Sequence, residues 1–441
     1  MSLQVLRWPY PRAFAFGITD DTDLSTLDSV RTFYEFCLAR GIRPTKTVWV
    51  RPPRRASGSR VAVEPVPGIT LADPEYRRYC QELSRRGVEL CLHDVSAGNN
   101  LREEILDGFR EFEEVFGYLP RLHVCHGKNA EHPYWGPSQY DSRLAKTLVR
   151  WLVDQQEYSG EVPSSPHYWS DFCRATIRYL RLYRTMDFDV LAKVPAMPYH
   201  LPGKPDVRLW FSTSAARRLD RLTDATLDRL ARRDGAFLWY AYSANLVTHD
   251  RREVLPAVAE ALERLAARDD CWLATSGEIL DRCLAIKNLV VTRRRHGWVI
   301  ANASDQPLPS LQLRCPAPVL HLASGSELSP DAEGRFVLDH LAPGAAVALY
   351  ESRGAAGSGD LGGISRLGLL RMMVEELRFL AWKRWKTVRG ARRRTTVPAS
   401  ASGREHGAIH RHGRAPPDTT HAGSGCVMIC GDAVRRAPRV A

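Results

Sequence analysis

Short apolar strands and amphipathic helices alternate along the first two thirds of the chain. Large and small apolar residues alternate in AFAFGITDDTDL, residues 13–24, which predicts a first strand. Residues 140–182 are predicted to be mainly helical. Alternation of strands with helices favours a parallel α/β sheet or barrel. Further strands are predicted at residues 45–50, 88–93, 122–125, 207–214, 235–243 and 271–275.

The pattern changes near residue 286, where short apolar runs are separated by Asn, Asp, Pro, Gly and Ser. This pattern predicts a small, sandwich-like antiparallel β-domain over residues 286–352, after an α/β domain over residues 1–285. A Gly/Ser-rich linker is predicted at 353–363 and a basic amphipathic helix at 364–389. Residues 390–441 have no periodicity and are predicted to be a disordered basic tail.

The basic helix over residues 364–389 has two interpretations. Its apolar residues alternate with Arg and Lys, which suits a peripheral membrane contact or a docking partner. The same pattern also suits a helix that packs on the body of the protein.

Composition is ordinary for a globular protein, with 44% hydrophobic and 25% charged residues in 441. The first residues lack the apolar run and the cleavage site of a signal peptide, which predicts a cytoplasmic protein. The ten cysteines form no CxxC pair and are predicted to be reduced thiols.

The net charge of +12 belongs to the end of the chain. Residues 353–441 contain 17 Lys and Arg against 6 Asp and Glu, whereas residues 1–352 contain 45 against 44. Because the body is electrically balanced, a nucleic-acid partner is not expected.

Polar side chains follow three of the predicted strands. Asp20 and Asp21 end the first strand, His93 ends the third, and His123 and His126 lie at the fourth. The carboxyl ends of parallel strands meet at one face of a barrel, so these side chains should converge.

One carboxylate and two imidazoles are enough to hold a catalytic zinc, since such a site needs about three protein ligands and an open position. A second carboxylate then acts as general base toward the bound water. In the alternative interpretation Asp23 caps the next helix, and Asp20 and Asp21 are solvated turn residues.

The segments FGITDDTD, LCLHDVS, HGKNAEHPYWG and CWLATSGEILDRC resemble motifs of the polysaccharide deacetylase superfamily, which are metal-dependent carbohydrate esterases. The resemblance covers roughly residues 10–285 and implies a distorted (β/α) barrel. It also implies a divalent metal, zinc being the first choice, with Asp20 as catalytic base and Asp21 and His93 as metal ligands.

Two motifs depart from the family pattern. Ala97 stands where the family has a second metal histidine, so the third ligand is His126, His123 or absent. His126 is preferred because it follows directly on its strand. In YAYSANLVTH one register puts Tyr242 in place of the catalytic acid, while another lets His249 serve as the acid; His249 is otherwise a helix-entry residue.

Four other residues have open roles. Asn129 and Asp94 are expected either to hydrogen-bond the ligating histidines or to cap turns. Trp135 is expected either to stack on a sugar ring or to lie in the core. His132 is expected at the surface.

The resemblance implies an amidohydrolase that removes an acyl group from an N-acylated amino sugar, in a glycan or a glycan precursor. A second hypothesis is a deacetylase-like barrel that has lost catalysis and acts as a glycan-binding or scaffold module. A third is hydrolysis of an amide that is not part of a sugar.

Overall fold

The computed structural model describes residues 2–55, 67–127, 129–152, 157–294, 296–351, 368 and 371–382. In chain order its strands are β1 (Gln4–Pro9), β2 (Phe14–Asp20), β3 (Thr45–Val48), β4 (Glu89–Leu92), β5 (Leu122–His123), β6 (Tyr179–Thr185), β7 (Leu209–Ser214), β8 (Ala236–Ala241), β9 (Cys271–Leu273), β10 (Leu289–Arg294), β11 (Gly297–Asn302), β12 (Leu308–Arg314), β13 (Leu320–Leu322), β14 (Glu327–Leu328), β15 (Arg335–Leu341) and β16 (Ala346–Glu351). The α-helices are α1 (Leu27–Leu38), α2 (Pro74–Arg85), α3 (Arg102–Phe116), α4 (Arg143–Leu152), α5 (Ser170–Thr176), α6 (Val190–Lys193), α7 (Asp224–Arg232), α8 (Pro256–Ala266) and α9 (Ser276–Lys287).

Seven parallel strands, β2 to β8, close into a barrel. Neighbours in sequence pair with one another, and β2 pairs with both β3 and β8, which closes the ring. β9 adds to β2 along its first residues, before the point where β3 joins. Every residue of β2 is buried, as expected for a parallel strand covered on both faces. The expected (β/α) barrel is confirmed.

The prediction of mainly helical structure over residues 140–182 is wrong in part. Among the described residues of this stretch the α-helices are α4 and α5, and the barrel strand β6 begins at Tyr179. Its sequence, YLRLYRT, alternates apolar residues with arginine, which is a strand pattern. Both arginines are buried in the barrel wall. Because arginine is usually exposed, their presence in the sequence argued against a buried strand.

The N-cap of helix α1 is not one of the aspartates in the turn before it. The Thr26 hydroxyl accepts a hydrogen bond from the backbone N–H of Ser29 at 3.2 Å, so Thr26 is the N-cap. The interpretation of Asp23 as a helix cap is therefore wrong, and its side chain has other partners.

Helix α3 packs closely on the loop that follows β4. A Cβ atom added at Gly108 would lie 1.5 Å from Cγ1 of Val95, which comes two residues after His93. The absence of a side chain at this position lets the helix approach the loop that presents His93.

We therefore expect Gly108→Ala to destabilise the protein by about 1–3 kcal/mol through overpacking. In an open helix the same change would stabilise by about 1 kcal/mol, so the sign of the effect is informative. Urea denaturation would measure it, with the exposed Glu114→Ala on the same helix as control. A stability equal to or above that of the wild type would contradict the close packing.

Two antiparallel sheets are built mostly from strands that follow the barrel, as the sequence predicts. One has the order β10-β11-β16-β13-β14 and the other the order β1-β12-β15. Their inner faces share one apolar cluster, which contains Trp298, Leu311, Phe336 and Leu349. The sheets therefore pack face to face as a small sandwich.

The first strand of the chain belongs to this sandwich. β1 pairs antiparallel with β12, so residues before the barrel pair with residues after it. The domain boundary at residue 285 stays a prediction, although β1 lies on the sandwich side of it.

Helical residues 371–382 pack on the barrel through Met372, Phe379 and Leu380, which are buried. Three predicted segments lie wholly or partly outside the described residues: the linker at 353–363, both ends of the helix at 364–389, and the tail at 390–441. A membrane contact through this helix stays a prediction. In the part of the chain that is described, helices long and apolar enough to cross a bilayer are absent.

Candidate metal centre

Three buried side chains converge at the carboxyl ends of the barrel strands. Asp23 follows β2, His93 follows β4 and His126 follows β5, and one ligand atom from each lies within 4.8 Å of the other two. Nε2 of His93 is 3.0 Å from Oδ2 of Asp23, and Nε2 of His126 is 3.1 Å from Oδ1. Two of the predicted ligands thus come together, with Asp23 as their carboxylate partner.

Hydrogen bonds fix which nitrogen of each imidazole faces Asp23. Nδ1 of His93 lies 2.9 Å from the carbonyl oxygen of Val124, which can only accept, so Nδ1 has the hydrogen. Nδ1 of His126 likewise donates to Oδ1 of Asn129 at 3.1 Å. Both rings therefore direct Nε2 at the same carboxylate, and without a proton on Nε2 each would present a lone pair there.

The orientation of the Asn129 amide follows from its own partners. Its nitrogen donates to the backbone oxygen of Ser96 at 2.9 Å and to Oε1 of Glu131 at 3.1 Å. Both partners are acceptors, so the amide oxygen must face His126. Asn129 thus orients a candidate ligand, one of the two roles expected for it.

Two lone pairs and a carboxylate repel one another unless a proton or a cation lies among them. Burial raises the pKa of Asp23, but positive charge on His93 and His126 and their hydrogen bonds hold it well below its ordinary value. Burial lowers the pKa of His93, whereas Asp21 and Asp23 raise it, with a net increase. Two imidazoles and one carboxylate are a donor set that fits zinc or a similar divalent metal.

Asp21 forms a buried ion pair with Arg181 on β6. The guanidinium donates from Nη1 and Nη2 to the two carboxylate oxygens, at 2.8 and 2.7 Å. The guanidinium also lies over the ring of Tyr240, 4.5 Å from its centre. Oδ2 of Asp21 is 3.8 Å from Nε2 of His93, so this carboxylate lies beside the three candidate ligands.

Asp20 forms buried contacts with neighbouring elements on the other side of β2. Nζ of Lys46 on β3 lies 2.9 Å from Oδ2, and the Tyr34 hydroxyl of α1 donates to the same oxygen at 3.1 Å. The backbone N–H of Ser243 donates to Oδ1 at 2.6 Å. Both oxygens are thus occupied by donors from three neighbouring elements.

The arrangement of the acidic motif therefore differs from the one that the resemblance implies. Asp23 rather than Asp21 lies with the two histidines, and Asp21 rather than Asp20 is the carboxylate next to them. The aspartates take these positions because β2 ends at Asp20 and the following turn brings Asp23 over the barrel mouth.

Tyr242 and His249, the two alternatives for the acid, have different surroundings. Tyr242 is buried and its hydroxyl contacts that of Tyr240. Burial first, then Tyr240, Asp23 and Asp21, raise the pKa of Tyr242 well above its ordinary value. His249 is exposed on the turn after β8, so the structure does not bring it together with the buried cluster.

His123, the alternative third ligand, pairs with Asp94 instead. Its Nε2 is 3.0 Å from Oδ1 of Asp94, and the other carboxylate oxygen accepts the backbone N–H of His126 at 2.8 Å. Asp94 thus holds the loop that presents His126. Asp94, His123 and Cys125 also form a second buried group of potential ligands, with Asp94 already engaged twice.

Sequence reasoning did not single out Arg181, Lys46 or Trp49. Trp49 follows β3, with its ring stacked 6.0 Å from His93 and edge-on 5.7 Å from His126. The available signal was position, since each residue lies in or just after a strand that enters the barrel. Arg181 was missed because β6 was missed.

His132 is buried, contrary to the expectation of a surface position. Its ring stacks on Trp135 with centres 4.3 Å apart and planes at 12°. Trp135 is itself buried, which favours the core alternative for this residue over an open sugar platform.

This burial predicts a pH effect on stability. Burial, then His123, Arg184 and Arg181, lower the pKa of His132 well below 6.5. As pH falls below 6.5 the unfolded chain binds a proton that the native chain does not, so the free energy of unfolding decreases. The decrease reaches about 1.4 kcal/mol per pH unit.

We expect the wild type to lose stability between pH 6.5 and 5.5 more steeply than His132→Phe, by up to that slope. Urea denaturation of both proteins in the presence of a chelator would compare the slopes. Parallel pH profiles would show that His132 titrates normally.

Matches to known proteins come from solved structures alone. Neither a family model nor a curated protein matches the chain. Among solved structures, Puue allantoinase is 13% identical, over 63% of this chain and 92% of its own, with a TM-score of 0.38. A putative polysaccharide deacetylase from Mycobacterium smegmatis is 12% identical over 66% and 98%, with a TM-score of 0.34. A probable polysaccharide deacetylase from Pseudomonas aeruginosa PAO1 is 12% identical over 63% and 92%, with a TM-score of 0.38.

Proposed function

We propose that this chain is a metal-dependent hydrolase that cleaves an amide C–N bond. The observation that supports it is the convergence of Asp23, His93 and His126, with both Nε2 atoms directed at one carboxylate. Three N and O ligands leave a coordination position for a reactant, as in catalytic rather than structural zinc sites.

The three ligands favour zinc, because imidazole suits zinc and similar transition metals whereas magnesium and calcium prefer oxygen alone. A divalent cation held there would polarise an acyl carbonyl and lower the pKa of a water molecule. Trp49 packs on both imidazoles and shields this side of the site from solvent.

Asp21 is the proposed general base. It is the carboxylate beside the ligands, and Arg181 binds both its oxygens, which holds it in one orientation as an anion. In this role Asp21 accepts a proton from the attacking water. Asp20, the base that the resemblance implies, instead links β2 to its neighbours.

Tyr242 is the proposed hydrogen-bond donor of the site. Its raised pKa keeps the hydroxyl protonated near neutral pH, so it can donate to an oxyanion or to a leaving amine. His249, exposed on its turn, is not needed in this arrangement.

The proposed substrate is an N-acylated amino sugar in a glycan or a glycan precursor. Support for the sugar comes from the resemblance of the sequence motifs to those of polysaccharide deacetylases. An amide that is not part of a sugar would use the same residues, so substrates of both kinds belong in the first assay.

A second candidate function is a glycan-binding or scaffold module without catalysis. One observation favours it: the position expected for a second metal histidine is Ala97, which is buried in the loop after β4. In this case the barrel retains its shape and its acidic motif serves only structural ion pairs.

The deciding experiment combines metal analysis with an amide screen on the full chain. The purified protein is analysed by elemental mass spectrometry as isolated, after chelation, and after reloading with zinc, cobalt or nickel. Each form is then incubated with chitin oligosaccharides, nucleotide-linked N-acetylglucosamine and N-acetylated amino acids, while acetate and free amine are measured.

About one metal per chain with metal-dependent acetate release would establish the hydrolase. Bound metal without release from any amide would favour the binding module. A chain that neither contains metal nor accepts it would exclude the proposed hydrolase.

A further inference from the structure

The imidazole of His132 is buried in the loop that follows β5. The side chain is 2% exposed, and neither Nδ1 nor Nε2 has a hydrogen-bond partner among the described residues. Leaving a buried imidazole unpaired costs on the order of 1–3 kcal/mol, so such a group needs a reason to be there. A ligand that completes the site would supply one.

The ring is held on one face and at one edge. Trp135 stacks on it at 4.3 Å, and Tyr158 meets it edge-on at 6.2 Å. Its backbone N–H donates to Asn129, the residue that orients His126, at 3.3 Å. The same loop therefore positions both the candidate metal ligand and His132.

Arg184 contacts Trp135, the residue on which His132 stacks. Its guanidinium lies over Trp135, 4.8 Å from the ring centre, and over Phe379, 4.2 Å from the ring centre. Arg184 belongs to β6, three residues after Arg181, so one strand supports both the base and the stack.

Glu376 fixes Arg184 from the C-terminal helical residues 371–382. This carboxylate is fully buried and accepts hydrogen bonds from the backbone N–H of Arg184 at 2.9 Å and from Nη2 at 2.7 Å. A chain of contacts thus joins Glu376, Arg184, Trp135 and His132.

Charged groups of the barrel influence the imidazole of His132. Burial comes first among the causes that lower the pKa of His132, followed by the positive charges of His123, Arg184, Arg181 and His93. The imidazole is therefore neutral, and it offers one N–H donor and one lone pair.

We propose that His132 is a positioning residue that hydrogen-bonds the acyl-bearing end of the substrate, and that helical residues 371–382 hold it in place through Glu376, Arg184 and Trp135. This inference rests on the proposed function. A neutral imidazole suits the amide group of such a substrate, because an amide contains one donor and one acceptor of its own. The C-terminal helix then completes the site although it follows the sandwich in sequence.

Acetohydroxamate, a small amide analogue that binds metals, is a suitable probe. We would titrate it into the zinc-loaded full chain by calorimetry, and measure zinc content in parallel. His132→Phe keeps a ring on Trp135 but removes both nitrogens, and His132→Asn restores a donor and an acceptor. The control is His321→Phe in the sandwich, where the imidazole is partly exposed.

His132→Phe should retain zinc and bind the probe about tenfold more weakly, the effect of one lost hydrogen bond. His132→Asn should recover part of the affinity, and His321→Phe should match the wild type. Equal affinity of His132→Phe and the wild type would overturn the role of His132, as would loss of zinc from His132→Phe. A zinc-loaded wild type that does not bind the probe would instead overturn the proposed function.

Glu376→Gln tests the contribution of the helix. It should weaken probe binding at unchanged zinc content and increase amide hydrogen exchange in residues 371–382. Glu327→Gln, a surface change in β14, is its control. Faster exchange in the helix with unchanged probe affinity would separate the helix from the site and overturn this part of the proposal.

Discussion

Replacing Asp23 with asparagine is expected to remove stoichiometric metal from the protein. Asp23 is the carboxylate that both Nε2 atoms face, and asparagine supplies neither its charge nor a comparable ligand. Structural zinc sites bind with about 10–16 kcal/mol over four ligands, so loss of one ligand should weaken binding by roughly a hundredfold or more. Elemental mass spectrometry after dialysis against a weak chelator would measure the loss.

Asp21→Asn is the matched variant, because the resemblance implies Asp21 as the ligand. We expect this variant to retain metal and to lose catalysis, since it removes the proposed base but none of the three converging ligands. The reverse result, with metal lost from Asp21→Asn and retained by Asp23→Asn, would restore the ligand set that the resemblance implies. Circular dichroism of both variants would establish that they are folded.

Arg181→Met is expected to destabilise the protein by about 3–5 kcal/mol, because it leaves the Asp21 carboxylate buried without its partner. Both side chains of the pair are less than one tenth exposed, so water cannot replace the guanidinium. Denaturant unfolding of the metal-free protein would measure the change directly.

Two comparisons make this prediction specific. Adding Asp21→Asn to Arg181→Met removes the orphaned charge and should recover part of the lost stability. Arg218→Met breaks an exposed pair with Asp220 and should cost less than about 1 kcal/mol. If Arg181→Met were as mild as Arg218→Met, the buried pair would not stabilise the barrel.

The sequence contained enough information to predict the barrel and the ends of its strands. Continuous apolar runs such as β2 and β8 are typical of parallel strands buried on both faces, so their number and spacing led to the correct fold. β6 was missed because its arginines suggest a solvent-exposed face. Their burial depends on Asp21 and Glu376, which are distant in sequence and invisible to a local pattern.

The sequence predicted where the site lies in the barrel, but not which side chains contact one another in it. His93 and His126 were found because each follows a strand. The choice among the three aspartates depends on how the chain turns after β2. Successive side chains of a strand point to opposite faces, so Asp20 meets Tyr34 of α1 while Asp21 meets Arg181 across the barrel. Pairing partners of this kind come from the tertiary fold.

The pairing of β1 with β12 has a consequence for synthesis on the ribosome. The two strands are separated by about three hundred residues, so β1 leaves the ribosome long before its partner exists. At about 5–20 residues per second the delay is roughly 15–60 s. During that time β1 lacks the strand with which it pairs in the finished fold. A chaperone that binds extended apolar segments would have its natural target at residues 4–9, and this target would disappear once the sandwich closes.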